Sequence, residues 1–103
     1  MIKVSVFYPN SNGAKFDMEY YRTKHMPMVQ NLCGSACKSI AAEQGLAGGA
    51  PGSSPTYIAA GHLVFDSVEA FTDAFTPHAA EIMGDIPNYT PIEPIIQISE
   101  ITL

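Results

Sequence analysis

The segment from Tyr57 to Phe65 constrains the fold of this chain more than any other part of it. The segment reads YIAAGHLVF and follows a stretch rich in Gly, Pro and Ser at residues 45–55, which is typical of a β-strand entered from a loop. Both alternations of the run are apolar apart from His62. Because a strand with two apolar faces needs cover on both sides of its sheet, we expect packed layers on both sides of this one.

The other segments predict a β-α-β-β-α-β order. Alternating apolar and polar residues, or runs rich in Ile, predict three further strands, at residues 1–8, 36–45 and 94–103. Apolar residues at spacings of three and four predict a helix over residues 18–32 and a second helix after Ser67. This order indicates a ferredoxin-like α+β fold, in which an antiparallel sheet carries both helices on one face.

Local signals mark the first helix. Asp17 is expected to cap its start, and Gly34 is expected to end it in a left-handed conformation. Pro27 lies inside the helix and has no N–H for the carbonyl of Thr23, so we expect a kink or break next to His25.

The second helical region is predicted in two parts. Asp66 or Ser67 caps the first part, whose apolar stripe includes Phe71. Thr76 followed by proline is typical of a fresh helix start, and Gly84 is expected to close this short helix.

A chain of 103 residues predicts one domain, spanning residues 1–103, with a thin core. A domain of this size buries only about 60 to 65% of its extended surface. Two helices cover one face of the sheet, and the other face is left open although the third strand is apolar there too. We therefore expect a homodimer in which two copies pack these open faces together.

Charge and cysteine content narrow the choice of partners. Five basic and ten acidic residues give a net charge of −5, which argues against binding to nucleic acid. Residues 1–8 lack the pattern of a signal peptide, and no run is long enough to span a bilayer, so we expect a cytoplasmic protein without membrane partners. Cys33 and Cys37 have no second pair or nearby histidine to complete a zinc site, so we interpret them as small buried thiols and predict no metal.

His25 is the most informative side chain of the sequence. It shares the predicted apolar face of the first helix with Tyr21 and precedes the proline. Burial disfavours a charged imidazole, so a neutral histidine that exchanges one proton near pH 7 is expected there. The alternative is a structural histidine whose nitrogen bonds a carbonyl, such as that of Thr23.

A small-molecule pocket is predicted from the small residues next to His62. Ala59, Ala60 and Gly61 leave space between the layers, which either large neighbours or a ligand must fill. Periodicity alone does not decide whether His62 faces the helices, with His25, or the open side. The residues expected to line the pocket are His62, Tyr8, Tyr57 and Met28.

Several segments resemble those of the EthD-domain family, named for the degradation of ethyl tert-butyl ether. The matching segments are FDMEYY at 16–21, HMP at 25–27, GHLVFDS at 61–67, GDIPNYT at 84–90 and QISE at 97–100. The resemblance spans the whole chain and places the histidine of the family motif at His25. It implies a dimeric α/β barrel, with two sheets face to face and the helices outside. Related proteins of that fold include cofactor-free monooxygenases, lactone isomerases, polyketide cyclases and haem-linked enzymes, so the fold alone does not choose a reaction.

These observations lead to one main functional hypothesis and two alternatives. The main hypothesis is a catabolic enzyme without a cofactor, either a monooxygenase-like oxidoreductase or a proton-transfer catalyst, acting on an apolar aromatic or ketonic compound. His25 would move the proton, and Tyr21 would orient the substrate oxygen. The first alternative is an accessory protein that binds an apolar ligand without converting it. The second, weaker alternative is haem binding through His25 or His62.

Overall fold

The structure is a computed structural model that describes residues 1–11 and 13–103. Its centre is a four-stranded antiparallel sheet with the strand order β2-β3-β1-β4. The strands are β1 (Ile2–Pro9), β2 (Ser39–Gln44), β3 (Tyr57–Phe65) and β4 (Ile95–Glu100). The predicted ferredoxin-like α+β fold is confirmed. The second and last strands are shorter than predicted, partly because residues 34–36 form a 3₁₀ turn and because Pro94 has no N–H to donate to the sheet.

The first helical segment contains a π-helical turn where a kink was expected. Its parts are α1 (Met18–Tyr20), a π-helical turn (Tyr21–His25) and α2 (Met26–Cys33). In the turn, the Met26 N–H donates to the Tyr21 carbonyl, five residues back. Pro27 lies in the first turn of α2, where a missing N–H is tolerated. The chain therefore accommodates the proline by rewinding the helix next to His25.

The predicted cap at the start of this segment is confirmed, because the Asp17 carboxylate accepts a hydrogen bond from the Tyr20 N–H at 3.1 Å. Gly34 ends α2 as predicted, and its N–H donates to the Gln30 carbonyl. Its φ of +64° is one that a residue with a side chain rarely adopts, but its ψ of −147° lies outside the left-handed helical region expected for this cap.

The second helical region is more continuous than predicted. It consists of α3 (Val68–Phe75), a 3₁₀ turn (Thr76–His78), α4 (Ala79–Asp85) and a 3₁₀ turn (Ile86–Asn88). Ser67 caps α3, as predicted, by accepting from the Ala70 N–H. The predictions for Thr76 and Gly84 were wrong. Thr76 has a helical backbone instead of the extended one that a cap requires, and Gly84 lies inside α4 with a negative φ, so the helix continues to Asp85.

The helices cover one face of the sheet, and the main core lies between them. Val4, Tyr8, Tyr21 and Phe65 are almost completely buried there. Gly61 faces Tyr21 so closely that an added Cβ would overlap the Tyr21 hydroxyl. The space beside Gly61 is therefore filled by protein on this side. A separate pocket of about 380 Å³, next to the loop at residues 45–55, is lined by Ala59, Ala60 and the predicted pocket residue Tyr57.

The opposite face of the sheet, here called the uncovered face, carries Lys3, Ser5, Phe7, His62 and Ile95, among others. No helix of the described chain packs on it. Among the described residues, no helix has the length and apolar character needed to cross a membrane.

Candidate functional site

A cavity of about 330 Å³ lies between the sheet and the helices. Its walls are mostly aliphatic and aromatic side chains from β1, β3, β4 and the helices. Three side chains bring polar atoms to this lining: Tyr8, Tyr21 and His25. An apolar cavity with a few polar groups is the usual form of a small-molecule site.

His25 is paired with a carboxylate. The His25 ring is 4% exposed, and its Nδ1 lies 2.9 Å from Oδ2 of Asp85. Because an ionised carboxylate can only accept, Nδ1 must carry the ring proton, and Nε2 is left with a free lone pair. The described residues include no fully buried side-chain nitrogen or oxygen without a hydrogen-bond partner. Nε2, which has no partner among them, is therefore not fully enclosed by protein, and the residue lines the cavity.

Asp85 is held in place by two further donors. The Tyr20 hydroxyl donates to Oδ1 at 2.6 Å, and the Asn88 side-chain amide donates to the same oxygen at 2.9 Å. Partial burial raises the pKa of Asp85, but the hydrogen bonds from Tyr20, Asn88 and His25 outweigh it, so the pKa of this carboxyl lies below its ordinary value. Asp85 is therefore ionised at neutral pH.

His25 is a neutral base at pH 7. Burial lowers the pKa of His25 below its ordinary value, and the Asp85 carboxylate only partly offsets this effect. The Tyr21 ring lies nearly parallel to the imidazole, with centroids 5.6 Å apart, and the Tyr89 ring lies 4.7 Å from it. The aromatic rings hold the imidazole while Asp85 fixes its tautomer.

The hydroxyls of Tyr8 and Tyr89 form a hydrogen bond with each other inside the core. The oxygens of Tyr8 and Tyr89 lie 2.6 Å apart, and both residues are at most 3% exposed. Burial raises the pKa of both phenols, so both remain protonated at neutral pH.

A family profile described as the EthD domain matches residues 14–91. The chain belongs to the EthD family. The matched range includes His25, Asp85 and Tyr89. No curated protein matches the sequence.

Solved structures agree with this assignment. An EthD-like protein from Ralstonia eutropha JMP134 is 50% identical with a TM-score of 0.95, and the alignment covers 99% of this chain and 92% of that one. An EthD family protein from Bacillus halodurans C-125 is 14% identical with a TM-score of 0.68, and 99% of each chain is covered. A protein from Arabidopsis thaliana is 12% identical with a TM-score of 0.70, and 100% of this chain and 97% of that one are covered. The last two similarities concern the fold alone.

The structure of this EthD-family chain brings together three of the residues predicted from the sequence. His25, Tyr21 and Tyr8 all line the cavity. Met28 lies half-buried on α2 and does not line it. The ring nitrogen of His25 bonds the Asp85 carboxylate, not the Thr23 carbonyl considered in the sequence analysis.

His62 and Tyr57 lie on the uncovered face. Nδ1 of His62 is 2.9 Å from the Ser5 hydroxyl, and Nε2 is 2.9 Å from a Glu43 carboxylate oxygen. The Tyr57 ring packs against Phe7 on the same face, with centroids 4.8 Å apart. The sheet therefore separates His62 from His25, which settles the question that periodicity left open.

Sequence reasoning missed Asp85, Tyr20 and Tyr89 as parts of the site. Asp85 and Tyr89 belong to the GDIPNYT segment, which resembles the family but to whose residues the sequence assigned no role. Tyr20 is the last residue of α1 and is typical of an ordinary packing residue. The available signal was that Asp85 and Tyr89, an ionisable and a hydroxyl-bearing residue, both lie in a segment that resembles the family.

The structure predicts how stability depends on pH. Because the pKa of folded His25 lies below 6.5, the unfolded chain binds a proton more readily there, so the free energy of unfolding should fall as the pH drops from 6.5 toward the folded-state value. Urea unfolding measured between pH 7.5 and 5.5 should show a steeper loss for the wild type than for His25→Gln, which keeps all other titrating groups. Parallel curves for the two proteins would contradict the assignment of a depressed pKa to His25.

Proposed function

We propose that this EthD-family protein is an enzyme that removes a proton from an apolar aromatic or ketonic compound, with Nε2 of His25 as the base. One observation carries the proposal: the Asp85 carboxylate commits Nδ1 as a donor, so Nε2 is left unprotonated on a ring that lines the apolar cavity. A base with this tautomer fixed in advance can accept a proton without first rearranging.

The surroundings of His25 support the charge change that the reaction requires. When Nε2 takes a proton, the ring becomes an imidazolium beside the ionised Asp85, which stabilises it. The cavity wall is mostly apolar, and apolar surroundings of low dielectric strengthen these electrostatic interactions. Returning the proton to another atom of the substrate, or to solvent, restores the neutral base.

Deprotonation is the step shared by the two chemistries considered for this chain. In an isomerisation or cyclisation, the substrate anion takes a proton back or forms a new bond. In an oxidation without a cofactor, the same anion gives electrons to dioxygen. The base assigned to His25 serves either route, and the substrate decides which follows.

A generic probe tests the base without knowledge of the substrate. 5-Nitrobenzisoxazole is a compact apolar aromatic compound whose ring opens when a base removes its single acidic C–H proton, and the product is a coloured phenolate. We expect saturable turnover that exceeds the rate with an equal concentration of free imidazole by about 10² or more. If the probe raises the melting temperature of the protein but is not converted faster than by imidazole, the protein binds apolar ligands without catalysing proton transfer.

We further propose that the protein forms a homodimer through the uncovered face. Phe7, Tyr57 and Ile95 are neighbours there, and Ile95 is 52% exposed. Contiguous exposed apolar side chains on a sheet with no covering layer are typical of an interface. The polar Ser5–His62–Glu43 cluster lies beside this patch, on the same face.

A charge placed in this patch is expected to prevent dimerisation. Ile95→Lys should elute as a monomer at micromolar concentration in size-exclusion chromatography with light scattering, because burying an unpaired ammonium group costs several kcal/mol. Val68→Lys is the matched control, since Val68 is 49% exposed on α3, away from the uncovered face. A dimeric Ile95→Lys variant would place the interface elsewhere, and a monomeric wild type would end the proposal.

A further inference from the structure

Three tyrosines form a cluster beside the cavity. The hydroxyl oxygens of Tyr8 and Tyr89 are 2.6 Å apart, and the Tyr21 ring packs against the rings of both. The rings cross one another, with centroids 5.6 Å apart for Tyr8 and Tyr21 and 5.1 Å apart for Tyr21 and Tyr89. All three residues are 3% exposed or less, so this is a buried polar group within an apolar core.

A count of protons shows that hydroxyls of the cluster must donate outside it. Three phenols carry three protons, whereas the Tyr8–Tyr89 pair forms one hydrogen bond and uses one of them. Among the described residues, no carbonyl or carboxylate outside the cluster accepts a hydrogen bond from these three hydroxyls. The remaining protons therefore need an acceptor that the folded chain itself does not supply.

Tyr8 is the hydroxyl of this bonded pair that can serve a ligand, because Tyr8 lines the cavity and Tyr89 does not. If Tyr8 donated to Tyr89, the Tyr89 proton would have no acceptor among the described residues. Tyr89 therefore donates to Tyr8, and the Tyr8 proton is left for the cavity.

We propose that Tyr8, hydrogen-bonded by Tyr89, donates to the oxygen of the substrate, and that the substrate is therefore an enolisable carbonyl compound or a phenol. The inference rests on the proposed role of His25. Both groups line one cavity, so a ligand bound there can meet the base and the donor at the same time. Donors aimed at the place where negative charge develops are among the strongest contributions to catalysis.

The step balances without any further reactant. Nε2 of His25 takes the proton from the carbon next to the carbonyl group, and the C–H electron pair forms the new C=C bond. The π electrons of the carbonyl move to oxygen, and the resulting enolate oxygen accepts the hydrogen bond from Tyr8. Return of the proton to carbon, at the same or another position, completes an isomerisation. With a phenol, the proton leaves oxygen directly and the phenolate takes the place of the enolate.

A pair of matched ligands tests the role of Tyr8. 4-Nitrophenol mimics the enolate when it ionises, and its phenolate absorbs visible light, whereas nitrobenzene has nearly the same shape and no hydroxyl. We expect wild-type protein to bind both and to increase the ionised fraction of 4-nitrophenol on binding. Tyr8→Phe should weaken 4-nitrophenol binding about 10- to 100-fold, because a hydrogen bond to a charged group is lost, and should leave nitrobenzene binding unchanged.

A second variant keeps the test valid if Tyr8→Phe does not fold. Tyr89→Phe removes one bond to Tyr8 but leaves the proton of Tyr8 in place, so it should weaken 4-nitrophenol selectively and by less than Tyr8→Phe. Equal losses for the two ligands, or no loss for 4-nitrophenol in either variant, would overturn the role of Tyr8 while leaving that of His25 standing. If the wild type binds neither ligand, both this inference and the proposed function fail.

Discussion

Replacing His25 with alanine is expected to lower turnover of 5-nitrobenzisoxazole by about 10²- to 10⁴-fold, the range that a positioned general base contributes. Nε2 of His25 is the unprotonated nitrogen of a ring that lines the cavity, and Tyr8 and Tyr21 are protonated phenols that cannot replace it as a base near pH 7. Initial rates at saturating probe, followed by the absorbance of the released phenolate, measure the loss directly.

Two controls separate loss of the base from loss of the fold. His78→Ala removes an imidazole from a 3₁₀ turn outside the cavity, so its turnover should match the wild type. Free imidazole added to the His25→Ala variant should restore part of the rate with saturation, because the truncated side chain leaves a space of that shape beside Asp85. Full turnover in the alanine variant would rule out His25 as the base.

Most of the fold could be predicted because it is encoded in local patterns. The apolar patterns of β1 and β3 are each contained in one short stretch of sequence. The caps at Asp17 and Ser67 likewise depend only on residues three positions away. The order of these elements then determines the sheet topology through general rules of connection. The predicted end of the last helix at Gly84 is wrong, because Gly84 lies inside α4 although glycine often ends helices. The helix continues to Asp85, whose carboxylate bonds His25.

The π-helical turn explains why Met28 does not line the cavity as predicted. Regular helical spacing puts Met28 on the same face as Tyr21 and His25. The π-helical turn adds one residue to that turn, so Met26 and Val29 face the cavity instead of Met28. A proline predicts that the helix is disturbed, but it does not by itself indicate how the chain rewinds.

The partners of His25 could not be predicted because they lie far away in the sequence. Asp85 is 60 residues from His25, and Tyr89 is 81 residues from Tyr8, so no local pattern connects either pair. The position of Tyr57 could not be predicted either, because it depends on a register shift between Tyr8 and Pro9 that places the Tyr57 ring beside Phe7. Such contacts depend on how the layers pack, which a single sequence does not specify.

Exchange of Asp85 for asparagine is expected to inactivate the base by reversing its tautomer. The Tyr20 hydroxyl and the Asn88 amide both donate to Oδ1, so the oxygen of an asparagine side chain must stay on that side. Its NH₂ group then faces Nδ1 of His25, which can only accept, and the ring proton moves to Nε2. Turnover of 5-nitrobenzisoxazole should fall at least about 100-fold; in the Ser-His-Asp triad the same exchange lowers kcat about 10⁴-fold.

Removal of the two donors should reverse much of this loss. In a variant that combines Asp85→Asn with Tyr20→Phe and Asn88→Ala, nothing holds the amide oxygen away from His25, so the side chain can turn and accept from Nδ1–H again. We expect turnover at least about tenfold above that of Asp85→Asn alone, although the protein carries two more substitutions, since a rotated amide restores the neutral base at Nε2. The ¹⁵N chemical shifts of the His25 ring should report the proton on Nε2 in the single variant and on Nδ1 in the combined one. A proton on Nδ1 in both variants would show that Asp85 acts by its charge alone, and a proton on Nε2 in both would show that Tyr20 and Asn88 do not orient the side chain at position 85.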